Sequence, residues 1–451
     1  MKLSNIRGTL ESLGTQPTQS LGQNFLHDQN LAEWIVDQLG IGTGDPWVEL
    51  GPGLGALTRF AARKSDNGIL VEKDGRLAGF LTGEYPGLEI VHGDALRFDV
   101  RDLFRRGPTC VFGNLPYYVS SQILFQFTAE PSPVRLLSFT LQKELAERLS
   151  AEPRTKAYGA LTLLLGRRWR VKYLRTLPPS VFTPAPKVDS AVVLLTPRPV
   201  GELPDCDGNR FNRLVKLGFS QRRKQLRKML AGEGLEWARL CSVLGVEETV
   251  RAEELSLAQW VRLTRFACGD SLEGEPAGQD VHGERFDVVN DKDEVVGVES
   301  RHVVHEKQLR HRAVHVFVFD RHGQIFLQKR SRWKDRCPGL WDSSAAGHVD
   351  SGEDYDTAAR REVEEELGVE TAVERLGRME ACPETGWEFV GLYRAEHGGP
   401  FRLPPAEIES GAFFSVDQIT RWVEARPGDF APGFLKCWSW YAERTSPAVA
   451  S

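Results

Sequence analysis

Short apolar segments alternate with segments of helical periodicity from about residue 30 to residue 195, and this alternation is the strongest constraint on the fold. The clearest helical segments are residues 31–39 and 121–127. The apolar segments, each long enough for one buried strand, are residues 47–50, 69–72, 88–91, 110–113 and 136–140. Strands that alternate with helices predict a mostly parallel sheet with helices on both faces. Because ligands bind beyond the carboxyl ends of such strands, the residues that follow each strand are candidate site residues.

Length and composition limit the class of protein. A chain of 451 residues exceeds one ordinary core, so we expect two or three domains. An apolar fraction of 41% excludes an intrinsically disordered chain. No apolar run approaches the ~18 residues that a membrane helix needs, and the N-terminal segment lacks the apolar core of a secretory signal. The seven scattered cysteines form no Cys-x-x-Cys pair. We therefore expect a cytoplasmic protein with reduced thiols and no membrane partner.

The net charge of −5 hides an unequal distribution of charge along the chain. Residues 1–270 contain 35 Lys and Arg against 29 Asp and Glu, whereas residues 271–451 contain 22 against 33. Residues 151–230 are strongly basic, with 17 basic and 5 acidic side chains, which suits a polyanion such as a nucleic acid. The Gly-, Pro- and acid-rich segment 268–280 separates the two parts and predicts an interdomain linker.

A glycine-rich loop follows the first predicted strand. Gly51, Gly53 and Gly55 allow a tight turn and a close approach of a ligand to the backbone. Glu72 ends the next strand, where a carboxylate can accept hydrogen bonds from two ribose hydroxyls. Asp94 follows the third strand and can accept from an adenine amino group. The Gly-x-Gly-x-Gly spacing differs from the dinucleotide fingerprint, so an adenosyl ligand without a pyrophosphate fits better than a nicotinamide dinucleotide.

The fourth strand ends in the motif Gly113-Asn-Leu-Pro-Tyr117, the most informative segment of the first part. The Asn114 side-chain oxygen and the Leu115 carbonyl can both accept from an exocyclic amino group. Pro116 fixes the turn, and the ring of Tyr117 can stack on a base. Because the motif follows three other strand ends with candidate ligand-binding residues, it indicates a site that positions a nucleobase nitrogen.

Together these motifs resemble the ribosomal RNA adenine N6,N6-dimethyltransferases, which use S-adenosyl-L-methionine. The resemblance covers roughly residues 18–268. It includes residues 22–26, 93–96, 114–120, 181–190 and 219–227. The last two segments are more similar to the small-subunit branch than to the antibiotic-resistance branch that acts on large-subunit RNA. The resemblance implies an α/β, Rossmann-like class I methyltransferase domain with a small helical subdomain.

The resemblance also implies a role for each site residue. Asn24 and Leu26 close over the methyl donor. The other expected cofactor-binding residues are Gly51, Gly53, Glu72, Asp94 and Asn114. The expected catalytic residues, which hold the target N6 and stack on the flipped adenine, are Asn114, Leu115, Pro116 and Tyr117. The methyl group passes in line from the sulfonium to N6, and the step is repeated once, without a metal ion.

The implied partner is ribosomal RNA in the small ribosomal subunit, with two adjacent adenosines near its 3′ end as targets. The basic residues expected to neutralise phosphates are Arg167, Arg168, Arg170, Lys172, Arg222, Arg223, Lys224 and Arg227. The last four are predicted to lie on a helix after Phe219. Two alternatives stay open: a methyltransferase that acts on large-subunit RNA, and a ribosome-assembly factor that binds RNA without catalysis.

The second part contains a predicted hairpin and a predicted helix. Residues 314–319 and 325–328 flank a short turn that contains Gly323, which is typical of a β-hairpin. Residues 354–367 are predicted to form a helix that ends before Gly368.

Three glutamates lie on one face of this helix. Glu362, Glu365 and Glu366 fall at positions i, i+3 and i+4, which are neighbours on a helical surface. Three clustered carboxylates repel one another, and they suit a divalent ion that prefers oxygen ligands and can bridge phosphate oxygens. The pattern therefore predicts a Mg²⁺ or Mn²⁺ site.

The spacing from Gly347 to Val369 matches the Nudix box at every defined position. The resemblance implies an α/β/α sandwich that binds a small molecule containing a diphosphate and cleaves it with a metal-activated water. It also implies that Glu353 and Arg361 form a structural ion pair. The alternative is a module that senses a diphosphate without cleaving it.

In His311, the segment 338–342 and His348, the second part resembles the Nudix branch that includes isopentenyl-diphosphate isomerase. Isomerase activity is not expected, because Ser344-Ala-Ala-Gly-His348 lacks the cysteine that the isomerase uses. An additional metal role stays open for the histidines of this part, namely His302, His305, His311, His315 and His348.

The sequence thus predicts a fusion of two enzymes in four segments. These are a methyltransferase domain at 1–198, a helical RNA-binding subdomain at 199–268, a linker at 269–283 and a Nudix hydrolase domain at 284–445.

Overall fold

The structure is a computed structural model that describes residues 3–18, 22–199, 201–269, 284–334 and 336–445. The chain divides into two compact units, Met1–Glu273 and Gly274–Ser451. The predicted linker 269–283 lies outside the described residues except for Gly269. The finer division between residues 198 and 199 stays a prediction.

The first unit begins as an alternating α/β domain and ends in a group of helices. Its elements are α1 (Leu3–Ser12), β1 (Phe25–Leu26), α2 (Gln29–Asp37), β2 (Trp47–Leu50), α3 (Thr58–Lys64), β3 (Gly68–Glu72), α4 (Gly75–Glu84), β4 (Glu89–His92), β5 (Thr109–Asn114), α5 (Ser120–Thr128), β6 (Val134–Gln142), α6 (Lys143–Leu149), α7 (Ala160–Gly166), β7 (Trp169–Leu177), β8 (Phe182–Thr183), β9 (Ser190–Pro197), α8 (Gly208–Gly218), α9 (Leu226–Met229), α10 (Trp237–Leu244) and α11 (Leu257–Cys268).

Seven described strands of this unit form one sheet in the order β4-β3-β2-β5-β6-β9-β7. The pairs from β4 to β6 are parallel, and β9 pairs antiparallel with both β6 and β7. All five predicted strands are present. The strand β6 extends beyond its predicted end because β9 continues the pairing as far as Gln142. The predicted mostly parallel sheet is confirmed.

Different helices cover the two faces of the sheet. Successive side chains of a strand point to opposite faces, so each strand contributes to both contacts. Val48 and Leu50 point to the face that packs against α5, α6 and α7. Trp47 and Leu70 point to the opposite face, which packs against α2, α3 and α4. The first unit therefore has the predicted α/β fold with helices on both faces.

The helices α8 to α11 form a separate core around Phe211, Leu214 and Trp260. One sequence prediction is wrong here: the segment 222–224, with Arg222, Arg223 and Lys224, lies in a turn between α8 and α9 rather than on a helix. The chain leaves the helical path because Gln225 pairs with Arg251 and the Leu226 amide donates to the Val250 carbonyl. Arg227 lies on the short helix α9.

The second unit is a mixed sheet with helices on both faces. Its elements are β10 (Arg285–Val289), β11 (Val295–Ser300), α12 (Arg301–Glu306), β12 (His311–Phe319), β13 (Ile325–Arg330), β14 (Trp341–Asp342), β15 (Ala345–His348), α13 (Tyr355–Leu367), β16 (Val373–Met379), β17 (Glu388–Glu396), β18 (Ile408–Phe414), α14 (Val416–Ala425) and α15 (Pro432–Thr445).

The strand β12 lies at the centre of this sheet. It pairs parallel with β17 and antiparallel with β13 and β15, and β13 also pairs with β14 and β18. Val316 of β12 faces the core that α13 covers, and the neighbouring Phe317 packs against Phe434 and Trp438 of α15. The predicted hairpin is confirmed by the pairing of β12 with β13, and the sandwich of helices around a sheet is confirmed as well.

The helix α13 begins and ends at the residues expected from its sequence. The Asp354 side chain accepts a hydrogen bond from the Thr357 amide, which satisfies one of the free amides of the first turn. Gly368 follows the last helical residue with φ +67°, a left-handed conformation that glycine adopts without strain. Among the described helices, none combines the length and the apolar character that crossing a membrane requires.

We predict that Gly113→Ala destabilises the first unit by about 2 kcal/mol or more, since a Cβ at Gly113 would lie 2.3 Å from the Leu50 carbonyl oxygen of the neighbouring strand. The matched control is Gly79→Ala in α4, where a Cβ meets no atom within 4 Å. That change should raise stability by roughly 0.5–1 kcal/mol because alanine favours the helix. Urea denaturation followed by circular dichroism measures the free energy of unfolding of both variants. Equal effects of the two changes would contradict the proposed clash.

Candidate functional site

A pocket of the first unit lies at the carboxyl ends of the central strands. It is lined by the loops after β2, β3, β4 and β5 and by the segment around β1. The predicted site residues that line it are Asn24, Leu26, Gly51, Gly53, Glu72, Asp94, Asn114, Leu115 and Pro116. Parallel pairing explains why these residues lie close together, because neighbouring parallel strands end at the same edge of the sheet.

The Glu72 carboxylate is held by the backbone at the end of β3. One oxygen accepts from the Gly53 amide at 3.0 Å, and the other accepts from the Asp74 amide at 2.9 Å. Burial raises the pKa of Glu72, and these two hydrogen bonds act in the opposite direction. The contact joins the glycine loop to the strand end, so the two predicted parts of the methyl-donor site are mutually oriented.

Asp94 has a different environment from Glu72. Its carboxylate lies 2.8 Å from Lys73 Nζ and accepts from the Leu96 amide at 3.0 Å. The hydrogen bond from Lys73 lowers the pKa of Asp94. The group is therefore an ionised acceptor at neutral pH.

Glu49 is a pocket residue that the sequence analysis missed. Its carboxyl is buried and accepts from the Thr58 hydroxyl at 2.6 Å. Burial raises the pKa of Glu49 to about 8. The signal was present, because Glu49 is an acidic residue inside an otherwise apolar strand directly before Gly51.

Asn114 and Asn24 meet across the pocket. The Asn114 Nδ2 donates to the Asn24 carbonyl at 2.7 Å, which directs the Oδ1 of Asn114 to act as an acceptor. The residue after Asn114, Leu115, is buried in the same pocket wall. The strand end can thus present a side-chain oxygen beside a backbone carbonyl.

The two tyrosines after Pro116 have different positions. Tyr117 is half-buried, and its hydroxyl shares a 2.6 Å hydrogen bond with Ser190 Oγ. Tyr117 is not among the described residues that line the pocket, whereas Tyr118 lines it and is 60% exposed. The predicted stacking role of Tyr117 stays a prediction, and Tyr118 is an aromatic residue beside the pocket that the sequence analysis did not single out.

The predicted RNA-binding residues fall into two groups. In the first, Arg167 and Arg168 are partly buried and pair with Glu130, whereas Arg170 and Lys172 are exposed on β7. Burial lowers the pKa of Arg167. The second group is exposed on the helical subdomain and consists of Arg222, Arg223, Lys224 and Arg227. Two of its members form ion pairs, Arg222 with Glu253 at 2.5 Å and Arg227 with Glu248 at 3.1 Å.

In the second unit, Arg361 contacts the carboxylates of α13, which we call the acidic helix. Its guanidinium forms the predicted pair with Glu353, at 2.9 Å, and also contacts Glu362 at 2.7 Å and Glu365 at 3.1 Å. One cation thus neutralises part of the charge of the clustered carboxylates. Glu362 and Glu366 are buried, whereas the side chain of Glu365 is 60% exposed.

The Glu362 and Glu366 carboxyls suit a divalent cation. Burial raises the pKa of both groups, and their mutual repulsion contributes for Glu362. The backbone at Gly347 leaves room for Glu362, because a Cβ at that position would lie 2.1 Å from its Oε1. Gln328 donates to Glu366 at 2.9 Å, and the Gln328 Oε1 is buried without a partner in the part of the chain that the structure describes. A dication in this site would relieve the repulsion that burial intensifies.

Three histidines converge beside this helix. The ring nitrogens of His305, His311 and His348 that could bind a metal lie within 4.8 Å of one another. Glu388 Oε1 lies 3.5 Å from His311 Nε2 and 3.4 Å from His348 Nε2. Burial and the two other imidazoles lower the pKa of His305 to about 3, so this ring is neutral at pH 7 and able to bind a metal ion.

The other two histidines considered from the sequence lie apart from this cluster. His302 is 85% exposed and lies 3.7 Å from Glu306 on the same helix. His315 forms a 2.7 Å hydrogen bond with Ser343. Sequence spacing alone could not distinguish these two residues from the three histidines that converge.

Similar proteins were found for both units. The ribosomal RNA adenine dimethylase family matches residues 14–268, which is more than half of the chain, and the NUDIX domain matches residues 309–434. A relative from Xanthobacter autotrophicus named ribosomal RNA small subunit methyltransferase A is 41% identical over 269 residues, 58% of this chain and 93% of the relative. One of the same name from Myxococcus xanthus is 39% identical over 265 residues, 57% of this chain and 94% of the relative.

Among solved structures, the 23S rRNA methyltransferase ErmE is similar, with 25% identity, a TM-score of 0.47 and coverage of 54% of this chain and 100% of that one. The family match includes each strand end that lines the pocket of the first unit. The chain therefore belongs to the ribosomal RNA adenine dimethylase family and carries a NUDIX domain in its second unit.

Proposed function

We propose that the first unit transfers methyl groups from S-adenosyl-L-methionine to N6 of two adjacent adenosines near the 3′ end of small-subunit ribosomal RNA. The observation that carries the proposal is the 2.7 Å hydrogen bond from Asn114 Nδ2 to the Asn24 carbonyl. Since the amide nitrogen is engaged, the Asn114 oxygen is the atom of this side chain that would accept from a donor such as an N6 amino group. The adjacent Leu115 carbonyl offers the second acceptor.

This pair of acceptors addresses the chemical difficulty of the reaction. The lone pair of the N6 amine is delocalised into the adenine ring and is a poor nucleophile. Two acceptors on its hydrogens localise the lone pair and aim it at the methyl carbon, which is catalysis by orientation and electrostatics. The target base must leave its stack to reach a pocket of this kind.

The charge of the pocket supports a cationic methyl donor. Glu49 and Glu72 are buried carboxyl groups in the same pocket, and the charge of Glu72 contributes to the raised pKa of Glu49. A sulfonium and an ammonium group would stabilise their ionised forms. Glu72 would accept from the ribose, Asp94 from the adenine, and the Gly51 loop would contact the amino-acid end.

Small-subunit RNA is favoured over large-subunit RNA as the substrate because the curated relatives reported above carry the small-subunit name. The exposed basic group Arg222–Lys224 with Arg227 would neutralise phosphates, and Arg170 and Lys172 would extend this surface along β7. A role limited to RNA binding is disfavoured, because it does not require the orientation of Asn114.

We predict that Asn114→Ala lowers the rate of methyl transfer by at least ~10²-fold while donor affinity changes little, because the side chain acts on the target amine. Transfer of a radiolabelled methyl group to undermethylated small and large ribosomal subunits measures the rate and identifies the substrate. Calorimetry with S-adenosyl-L-methionine measures the affinity. The control is Asn212→Ala on α8, outside the pocket. Unchanged transfer by Asn114→Ala would refute the acceptor site, and preferential methylation of large subunits would refute the choice of RNA.

For the second unit we propose metal-dependent hydrolysis of a small molecule that contains a diphosphate. Glu362, Glu365 and Glu366 would hold Mg²⁺ or Mn²⁺, and Arg361 would keep Glu362 and Glu365 in position. The bound metal supplies an activated water and neutralises phosphate charge. The burial of Glu362 and Glu366 supports a bound cation, because a buried carboxylate pair is costly without one.

We predict that Glu366→Gln reduces metal-dependent diphosphate cleavage by about 10²-fold or more and leaves methyl transfer unchanged. The matched control is Glu364→Gln, which changes an exposed carboxylate on the same helix outside the metal-binding set. Chromatographic separation of the monophosphate products from a panel of nucleotide, dinucleotide and isoprenoid diphosphates provides the measurement. If Glu366→Gln cleaves as fast as Glu364→Gln, the metal assignment is wrong.

We propose a second metal site at His305, His311 and His348, with Glu388 as a further ligand. Imidazole ligands favour a transition metal such as Zn²⁺ over Mg²⁺. His311 Nδ1 donates to the Leu309 carbonyl, and the buried His311 Nε2, which then carries the lone pair, has no hydrogen-bond partner among the described residues, which supports an ion at this place.

The paired variants His305→Gln and His302→Gln test the second metal site, because both change α12 but only His305 lies in the cluster. We predict that His305→Gln lowers the Zn²⁺ retained after dialysis by about one ion per chain, and that His302→Gln has no effect. Elemental analysis gives the stoichiometry. Equal retention by the two variants would count against the site.

A further inference from the structure

Lys334 and Glu407 form an ion pair inside the pocket of the acidic helix. Their side chains are 9% and 17% exposed, so the pair is largely removed from water. Both residues line the same cavity as Glu362, Glu365 and Glu366. Neither belongs to the motif that predicts the metal site, and 73 residues separate them in the sequence.

The backbone holds the two loops of this pair together. The Ser331 amide donates to the Glu407 carbonyl at 2.8 Å, and the Ser331 hydroxyl donates to the Pro405 carbonyl at 2.8 Å. The ammonium and the carboxylate are therefore brought together by the fold rather than by a chance surface encounter. Since burial of an ion pair costs desolvation energy, its position inside a cavity suggests a function beyond stability.

Lys334 and Glu407 share their surroundings with Glu366. All three side chains line one cavity, so the ammonium and the two carboxylates lie in one pocket. The Gln328 amide donates to Glu366, and its own oxygen is buried without a partner among the described residues. Carboxylates on two sides and an unpaired amide oxygen are groups that favour a cation.

We propose that Lys334 is an internal cation that occupies the position of a divalent ion beside Glu407, and that metal binding displaces it so that Glu407 joins Glu362 and Glu366 around the metal. The proposal rests on the hydrolase function proposed above. A dication attracts a carboxylate more strongly than an ammonium does, and it repels the ammonium. The displaced Lys334 remains in the cavity, where it can bind a phosphate of the substrate.

The proposal predicts competition between Lys334 and the metal. Calorimetric titration of the full chain with Mn²⁺ and no substrate measures it, with His305→Gln in every variant to remove the second proposed metal site. Lys334→Met should tighten Mn²⁺ binding about tenfold, because it removes a competing charge. Lys334→Arg keeps the charge and should stay within about twofold of the parent.

The matched control is Lys329→Met. Lys329 pairs with Glu409 at 2.9 Å in the same sheet, and neither residue lines the cavity among the described residues. This change should leave Mn²⁺ affinity unaltered. Glu407→Gln should weaken Mn²⁺ binding about tenfold, and adding Glu407→Gln to Lys334→Met should abolish the gain.

The outcomes separate this proposal from the hydrolase assignment. Unchanged or weaker Mn²⁺ binding by Lys334→Met, or equal tightening by Lys329→Met, overturns the competition. Loss of the gain in the double variant supports Glu407 as the released ligand, and persistence of the gain overturns that part. If Glu366→Gln binds Mn²⁺ as tightly as the parent, the metal site of the proposed function itself is wrong.

Discussion

The close parallel approach of β5 to β2 is the contact on which the methyltransferase site depends. A Cβ at Gly113 would lie 2.3 Å from the Leu50 carbonyl oxygen, so the two strands can pair in this register only because Gly113 has no side chain. The pairing brings the Gly51 loop and Asn114 to the same edge of the sheet. The contact of Glu72 with Gly53 then joins the third strand end to this edge.

In the second unit, the repulsion between clustered carboxylates is the interaction on which the pocket of the acidic helix depends. Arg361 moderates it from one side by contacting Glu353, Glu362 and Glu365 at once, and Lys334 moderates it from the other by its charge. Both cations are held by the fold, one by the acidic helix and one by a loop. The site can therefore exist without a metal ion and still present an acidic surface to one.

The local predictions succeeded where neighbouring residues carry the information. Five strands of the first unit, β2 to β6, the hairpin of β12 with β13, and the ends of α13 at Asp354 and Gly368 follow from periodicity, turn residues and capping residues. The prediction failed for Arg222 and its neighbours, because the pairing of Gln225 with Arg251, a contact between distant segments, ends the helical path. Tyr118 was overlooked for a related reason, since adjacent residues of a turn can face different environments.

The sequence by itself indicated the two families, five strands of the first unit, the hairpin and the acidic helix of the second unit, and the groups that carry the motifs, because each of these depends on spacing along the chain. Only the tertiary structure decided which distant side chains meet. His311 and His348 converge on Glu388, whereas His302 and His315 do not, and Lys334 meets Glu407 across 73 residues. These contacts depend on how strands and loops pack in three dimensions, and no local pattern of residues encodes that packing.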